Sequence, residues 1–164
     1  NLSARHLAED DFADEVINLV AQSGYPPELV TFELTESVMV SDVDRVIEKM
    51  DAVRRFGCSF SMDDFGTGYS SLAQLRRLPI SEIKIDRSFL LSCLEDDMSA
   101  DIVEMIRRIG ESMRLRVVAE GVETRAHVDF LHSKHPGVYM QGYFFDRPRP
   151  LSGFFERSDD MRPT

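Results

Sequence analysis

The sequence predicts an α/β fold built on a parallel sheet, and three observations carry that expectation. Short runs of strand-forming residues alternate with stretches of helical periodicity. The connections between them are short and are punctuated by glycine or proline. Polar residues recur at the C-terminal end of one strand after another, the side on which parallel α/β folds collect their sites. The 164 residues suffice for one domain with its own core. No linker or low-complexity segment divides them, so residues 1–164 read as a single domain.

The first helix, over residues 12–22, is marked by apolar residues at Phe12, Val16, Leu19 and Val20 and stopped by Gly24 and Pro26-Pro27. "LVTFELTE" (29–36) is the first strand. A second helix begins at Ser41, where Ser41 and Asp44 fit a capping box. Val43, Val46, Ile47, Met50 and Val53 form its apolar stripe, and Gly57 fits its end. "CSFSMDDF" (58–65) is the second strand. A short helix over 70–78 ends at Pro79, and "EIKID" (82–86) is the third strand. A longer helix over 97–113 is expected to bury Met98, Ile102, Ile106, Ile109 and Met113. "LRVVAEG" (115–121), a helix over 124–132 and "VYMQGYFF" (138–145) complete the series, and the tail from Leu151 fits one more short helix. Five strands are visible, and Asn1 fits the last residue of a sixth. A closed (β/α)8 barrel takes eight strands and about 250 residues; an open doubly wound sheet takes fewer. The pattern alone leaves both open.

Composition narrows the function. With 43% hydrophobic and 29% charged residues the chain reads as an ordinary soluble domain. A formal net charge of -10 argues against a nucleic-acid polymer as partner, since such partners need clustered lysine and arginine. It leaves room for a small phosphorylated ligand if metal ions supply the positive charge. Cys58 and Cys93 form neither a CxxC pair nor a zinc spacing; they read as buried free thiols in a reducing, cytoplasmic compartment. There is no signal-peptide pattern, and no apolar run approaches the roughly 20 residues of a membrane span. The chain opens on Asn1 directly into "NLSARHL" and reads as cut from a longer protein, whose anchor or sensor would lie outside it.

The acids carry the chemistry. Glu33 lies near the end of the first strand, Asp63 and Asp64 end the second, Lys84 and Asp86 the third and Glu120 the fourth. Glu123 stands just beyond, and Gln141 sits in the fifth. Side chains alternate along a strand, so Ile83 and Ile85 should face the helices while Lys84 and Asp86 face the other way, and Val118 and Glu120 share a face. A ring of acids with one lysine then converges on one mouth. Any single acid at a strand end is ordinarily a cap or a loop residue, and Asp64, Asp86 and Glu123 each fit that description. Their recurrence over successive strand ends is what points to a site. Clustered carboxylates repel one another, and one lysine offsets little of that, so bound Mg²⁺ or Mn²⁺ is the economical answer. Two adjacent aspartates can serve two ions, an arrangement suited to in-line displacement at a phosphodiester. His6, His127, His132 and His135 show no HExxH spacing and read as surface. Met98, Met105 and Met113 read as core filling, and Arg147 and Arg149 as solvated loop residues.

"FELTES", "DDFGTGYSSL", "KIDRSF", "VVAEGVET" and "QGYFFDRP", in this order, resemble the EAL family of bacterial cyclic-di-GMP phosphodiesterases, and "NLS" resembles that family's Asn-containing strand end. The resemblance covers essentially the whole chain, and its motifs agree in type and order. It implies a TIM-like (β/α)8 barrel of the EAL type, here N-terminally truncated with five to six parallel strands, two Mg²⁺ or Mn²⁺ ions, and hydrolysis of cyclic di-GMP to linear pGpG. It makes Asn1, Glu33 and Asp63 ligands of one metal, with Asp63 bridging to a second held by Asp64 and Glu120. It makes Lys84, Glu120 and Asp63 the catalytic group, with Lys84 acting on the attacking water and the developing charge. Gln141 and Asp86 would contact substrate. Glu36 and Glu123 would hold the glycine-containing loop after Asp64, a loop that in the family links the site to a dimer interface.

The Glu-Ala-Leu signature itself does not occur in the chain. It belongs upstream of Asn1, and its glutamate is a metal ligand in the family. The resemblance therefore implies a poorly active fragment, exposed sheet edges and self-association, as a homodimer or a larger assembly. An upstream GGDEF or sensor domain, and a membrane anchor, would belong to the parent protein. The alternative is a degenerate, non-catalytic EAL domain that binds cyclic di-GMP or docks a partner. An unrelated metal-dependent barrel hydrolase fits the acids but not the ordered motifs.

Overall fold

The computed structural model describes residues 1–36, 43–68 and 72–148. Ser41, at the expected capping box, the serines at 70 and 71, Arg149 and the tail from Leu151 lie outside the described residues. The element order is α1 (Ala4–Ala8), α2 (Phe12–Ser23), a 3-10 turn (Pro27–Leu29), β1 (Thr31–Thr35), α3 (Val43–Phe56), β2 (Ser59–Phe65), α4 (Leu72–Leu75) and β3 (Glu82–Ile85). It continues with α5 (Arg87–Ser92), α6 (Asp97–Met113), β4 (Arg116–Ala119), α7 (Arg125–Lys134) and β5 (Tyr139–Met140).

All five strands are parallel and neighbour one another in chain order, β1-β2-β3-β4-β5. A doubly wound sheet reverses its order at a switch point; an unreversed order is that of a barrel wall, which resolves the alternative the pattern left open. Beyond β1, Leu2 forms an isolated parallel bridge to Leu34, and its N–H donates to Glu33 O at 2.8 Å. Asn1 thus stands at a strand-like position beside β1.

The two faces of the sheet differ as the period of two demands. Leu34, Phe60, Met62, Ile83, Ile85, Val117 and Ala119 are buried against the helices. Register runs Glu33 beside Ser61, Ser61 beside Glu82, and Glu82 beside Arg116, so these residues form a polar row on the other face. Glu82 and Arg116 are ion-paired there at 3.0 Å.

The helices depart from expectation in instructive ways. In α6 the buried face is Ser99, Val103, Ile106 and Gly110, whereas Met98 is 71% and Met105 49% exposed. The expected stripe was rotated because the glycine decides the approach: a Cβ on Gly110 would lie 2.2 Å from Val117 Cγ2, so the helix packs on the sheet along that side. Met98 and Met105 are therefore not core filling; only Met113 is partly buried. Leu19, placed on the apolar stripe of α2, is likewise exposed.

His127 and His135 correct the expectation of surface histidines, since each is 5% exposed. His127 Nδ1 accepts from Glu123 N, and His135 Nδ1 lies 3.1 Å from Glu104 Oε2 with its ring against Phe130. Polar partners at both sites make burial affordable. Cys58 and Cys93 are free and buried. β5 stops after two residues because the chain turns at Gly142, where a Cβ would lie 2.3 Å from Val122 N and O. Among the described residues, no helix is long and apolar enough to cross a membrane.

Candidate active site

Lys84 sits at the centre of the polar face and is 5% exposed. Its Nζ donates to Glu33 Oε1 at 2.6 Å, lies 2.5 Å from Glu120 Oε1 and is 3.3 Å from Asp63 Oδ1. Three strands, β1, β2 and the end of β4, thereby deliver one carboxylate each to a lysine from β3. Burial by itself would lower the lysine's pKa. Hydrogen bonds to Glu120 and Glu33, with the charges of Glu120 and Asp63, outweigh burial and hold it well above the ordinary lysine range. Lys84 is thus a fixed ammonium, a donor rather than a base.

The adjacent aspartates pose a geometric problem, because alternation would send them to opposite faces. The sheet solves it with a bulge: Met62 pairs with Ile83 and Phe65 with Ile85, so β2 spends one residue more than β3. Asp64 takes up the difference at φ 52, a left-handed conformation. As a result Asp63, Asp64 and Glu120 each offer a carboxylate oxygen within 4.8 Å of the others. Burial, then the negative charge of Asp63, a hydrogen bond that the Asp64 carboxyl donates to Asp86 and the charges of Asp86 and Glu120 push the Asp64 carboxyl up from its ordinary value. Asp63 Oδ1 is buried, and beyond the Lys84 ammonium 3.3 Å away it accepts no hydrogen bond. Three carboxylates around one ammonium, with Asp64 beside two of them, form a set of oxygen donors that a divalent cation would complete.

The remaining positions fall into place around this cluster. Asp86 caps α5, accepting from Ser88 N at 2.9 Å, and shares a hydrogen bond with Asp64. Although burial acts the other way, the bonds from Ser88 hold its carboxyl below the ordinary range. Glu36 Oε1 accepts from Gly66 N at 2.8 Å, and its Oε2 lies 2.2 Å from where a Gly68 Cβ would be, so the loop behind the aspartates closes on this glutamate. Gln141 is exposed; its N–H donates to Ala119 O and its carbonyl accepts from Val122 N, bracketing Glu120 from β5. Asn1 is exposed beside Glu33. Glu123 is exposed as well, and its side chain makes no hydrogen bond among the described residues. Sequence reasoning missed Ser61, fully buried with its Oγ unpaired two residues before Asp63 on the same face. The period of two was the signal that could have found it.

Comparisons with known proteins bear on this geometry. The EAL domain family model matches residues 1–148. The chain is 39% identical over 156 residues to the cyclic di-GMP phosphodiesterase NbdA of Pseudomonas aeruginosa, covering 95% of this chain and 20% of that protein. It matches the structure of the PaMucR phosphodiesterase in complex with c-di-GMP with a TM-score of 0.86 and 39% identity, over 94% of this chain and 62% of that one. It also matches BlrP1 of Klebsiella pneumoniae, solved with cyclic di-GMP and manganese, with a TM-score of 0.76 and 30% identity over 87% of this chain and 36% of that one. The calcium complex of BlrP1 gives 0.79 and 30% over 90% and 38%. The chain spans about a fifth of the length of the curated relatives it matches.

Proposed function

The chain belongs to the EAL domain family, and from that premise we propose that it is part of a metal-dependent phosphodiesterase domain that hydrolyses cyclic di-GMP to linear pGpG. The observation that carries this reading is the convergence of Glu33, Asp63 and Glu120 on one buried lysine, with Asp64 brought within reach of Asp63 and Glu120. Two Mg²⁺ or Mn²⁺ ions suit the donors: every one is oxygen, Asp63 Oδ1 is buried with no hydrogen bond beyond the Lys84 ammonium, and the acids outnumber the lysine. Asn1, Glu33 and Asp63 would hold one ion, and Asp63, Asp64 and Glu120 the other. When bound, such ions neutralise the phosphodiester and make a water nucleophilic.

The chain's own groups do the rest. Lys84 stays protonated and donates, orienting the attacking water and steadying charge on the phosphoryl oxygens. Glu120 and Asp63 fix its position. The water oxygen bonds to phosphorus, the bond from phosphorus to the 3′ oxygen breaks, and the proton leaves with that oxygen. Asp86 and Gln141 contact substrate from the rim. Glu36 supports the loop after Asp64 through Gly66, and Glu123 is assigned the same task from an exposed position.

The chain contains no Glu-Ala-Leu tripeptide, so we infer slow turnover by these residues alone and faster turnover by a chain that includes that strand. Exposed Leu72, Met98 and Met105 offer apolar surface for a second copy, and the two unpaired cysteines fit a cytoplasmic setting. A GGDEF or sensor domain upstream would fit a chain that matches only a fifth of its relatives. A hydrolysis assay with Mn²⁺, on this chain and on one extended upstream, tests the reading. Turnover that rises with the extension and falls far more in kcat than in affinity for Lys84→Ala supports it. Tight binding of cyclic di-GMP without hydrolysis by either chain would make this a binding module instead.

A further inference from the structure

Arg87 stands immediately after Asp86, at the first position of α5, and is exposed. Its stem is held from the neighbouring strand. Gly121, the residue after Glu120, adopts φ 72, and a Cβ placed on it would lie 2.7 Å from Arg87 Cβ, 3.4 Å from its Cα and 3.9 Å from its Cγ. The end of β4 and the start of α5 therefore press together with the arginine stem lying on glycine backbone, and a side chain at position 121 would displace it. Beyond that stem the guanidinium makes no ion pair and no hydrogen bond among the described residues. Arg107, Arg116 and Arg125, by contrast, are each paired with an acid.

We propose that Arg87 is a substrate-anchoring residue whose guanidinium binds the non-reacting phosphodiester of the cyclic dinucleotide. This rests on the function proposed above. Such a substrate carries two phosphodiester charges. The carboxylate cluster and its cations serve the reacting one. Lys84 is buried and committed to three carboxylates, so it is not free to meet the second. Arg87 is an uncommitted cation at the same rim, one residue from Asp86 and packed over the residue that follows Glu120. Its planar fork suits two oxygens of one phosphate, and a stem already fixed on Gly121 loses less freedom when that contact forms.

The test is equilibrium binding of cyclic di-GMP to this chain in Ca²⁺, by calorimetry at two salt concentrations, for the unsubstituted chain and for Arg87→Ala, Arg87→Gln and Arg87→Lys. The expected result is at least tenfold weaker binding for Ala and Gln, partial rescue by Lys, and a flatter dependence on salt for the two neutral variants. Ca²⁺ binding measured without the nucleotide should be the same in all four. Arg87→Gln keeps a stem over Gly121, so it reports on the charge even if Ala disturbs the fold. Unchanged affinity and salt dependence in Arg87→Gln would overturn the anchor while leaving the family's activity in place. Failure of the unsubstituted chain to bind cyclic di-GMP would overturn the proposed function and the anchor with it.

Discussion

Lys84 Nζ and Glu120 Oε1 lie 2.5 Å apart across adjacent strands, and the same ammonium also serves Glu33 and Asp63. One buried cation therefore holds the ends of four strands to one another before any metal arrives. Removing it leaves mutually repelling carboxylates with nothing between them. Lys84→Met should lower the stability of the metal-free chain by about 3 kcal/mol, the usual scale for breaking a buried ion pair from one side. Divalent cation should recover much of this, because it replaces the missing charge. Urea unfolding with and without Mn²⁺ measures both quantities; a Lys84→Met chain as stable as the original without metal would contradict the account.

The bulge at Asp63 and Asp64 makes a second prediction. Asp64 is left-handed and its carboxylate crowds Asp63 and Glu120. Asp64→Gly and Asp64→Ala remove the same carboxylate but differ in backbone cost, since alanine strains at positive φ by about 1 kcal/mol or more. Asp64→Gly should therefore be the more stable of the two without metal, and both should lose most of the stabilisation that Mn²⁺ confers. Asp63→Asn should lose that metal response too, because Asp63 is proposed to bridge the ions. Thermal unfolding across a Mn²⁺ titration checks this; a full metal response in Asp63→Asn would remove it from the ligand set.

The parts of the site legible in the sequence were those that follow from strand periodicity. Lys84, Glu120, Glu33 and Asp63 meet because alternate residues share a face and parallel strands end together. What the sequence could not show was the bulge. Strict alternation would split two adjacent aspartates between faces, and only the pairing of β2 with β3 shows the extra residue that lets both serve one site. The strands were legible for the same reason, whereas α6 was rotated from its expected stripe by Gly110, whose missing side chain sets the contact with Val117. The helix α5 was missed because six residues carry less than two turns of periodicity, although Asp86 and Ser88 held its capping signal. His127 and His135 were misplaced because burial there depends on partners distant in the chain or on a backbone N–H, neither of which a local pattern reveals.

Two glycines should respond differently to alanine. At Gly142 a Cβ would meet Val122 backbone at 2.3 Å, whereas at Gly137 it would meet nothing within 4 Å but sits at φ 90. Gly137→Ala pays only for its backbone conformation, about 1 kcal/mol. Gly142→Ala must push apart two backbone segments beside Glu120, and should cost about 3 kcal/mol. Chemical denaturation of the two variants ranks them, and equal losses would mean that the close approach of Gly142 to Val122 is not needed for the fold.

Glu104 sets the pH dependence away from the site. Its carboxylate accepts from Arg107 Nε at 2.8 Å and Nη2 at 3.0 Å and from Arg108 Nε at 2.5 Å, and its Oε2 meets His135 Nδ1. The bonds from Arg107 and Arg108 lead, burial opposes them, and His135 adds to the effect, so the carboxyl is held far below the ordinary glutamate range. A carboxyl depressed on folding stabilises the folded state while it is ionised there. That contribution is complete above the unfolded pKa, near 4.5, and is lost as pH falls from that value toward the depressed one. Glu104 is partly solvated, with 29% side-chain exposure, so screening limits the whole effect to about 1 kcal/mol. Glu104→Gln should therefore be less stable than the original chain by about that amount at pH 7, and the gap should narrow between pH 4.5 and pH 3. Urea unfolding of both chains at pH 7, 4.5 and 3 measures the gap directly. A gap that widened toward acid would reverse the sign of the argument and show that Glu104 is held in its neutral form.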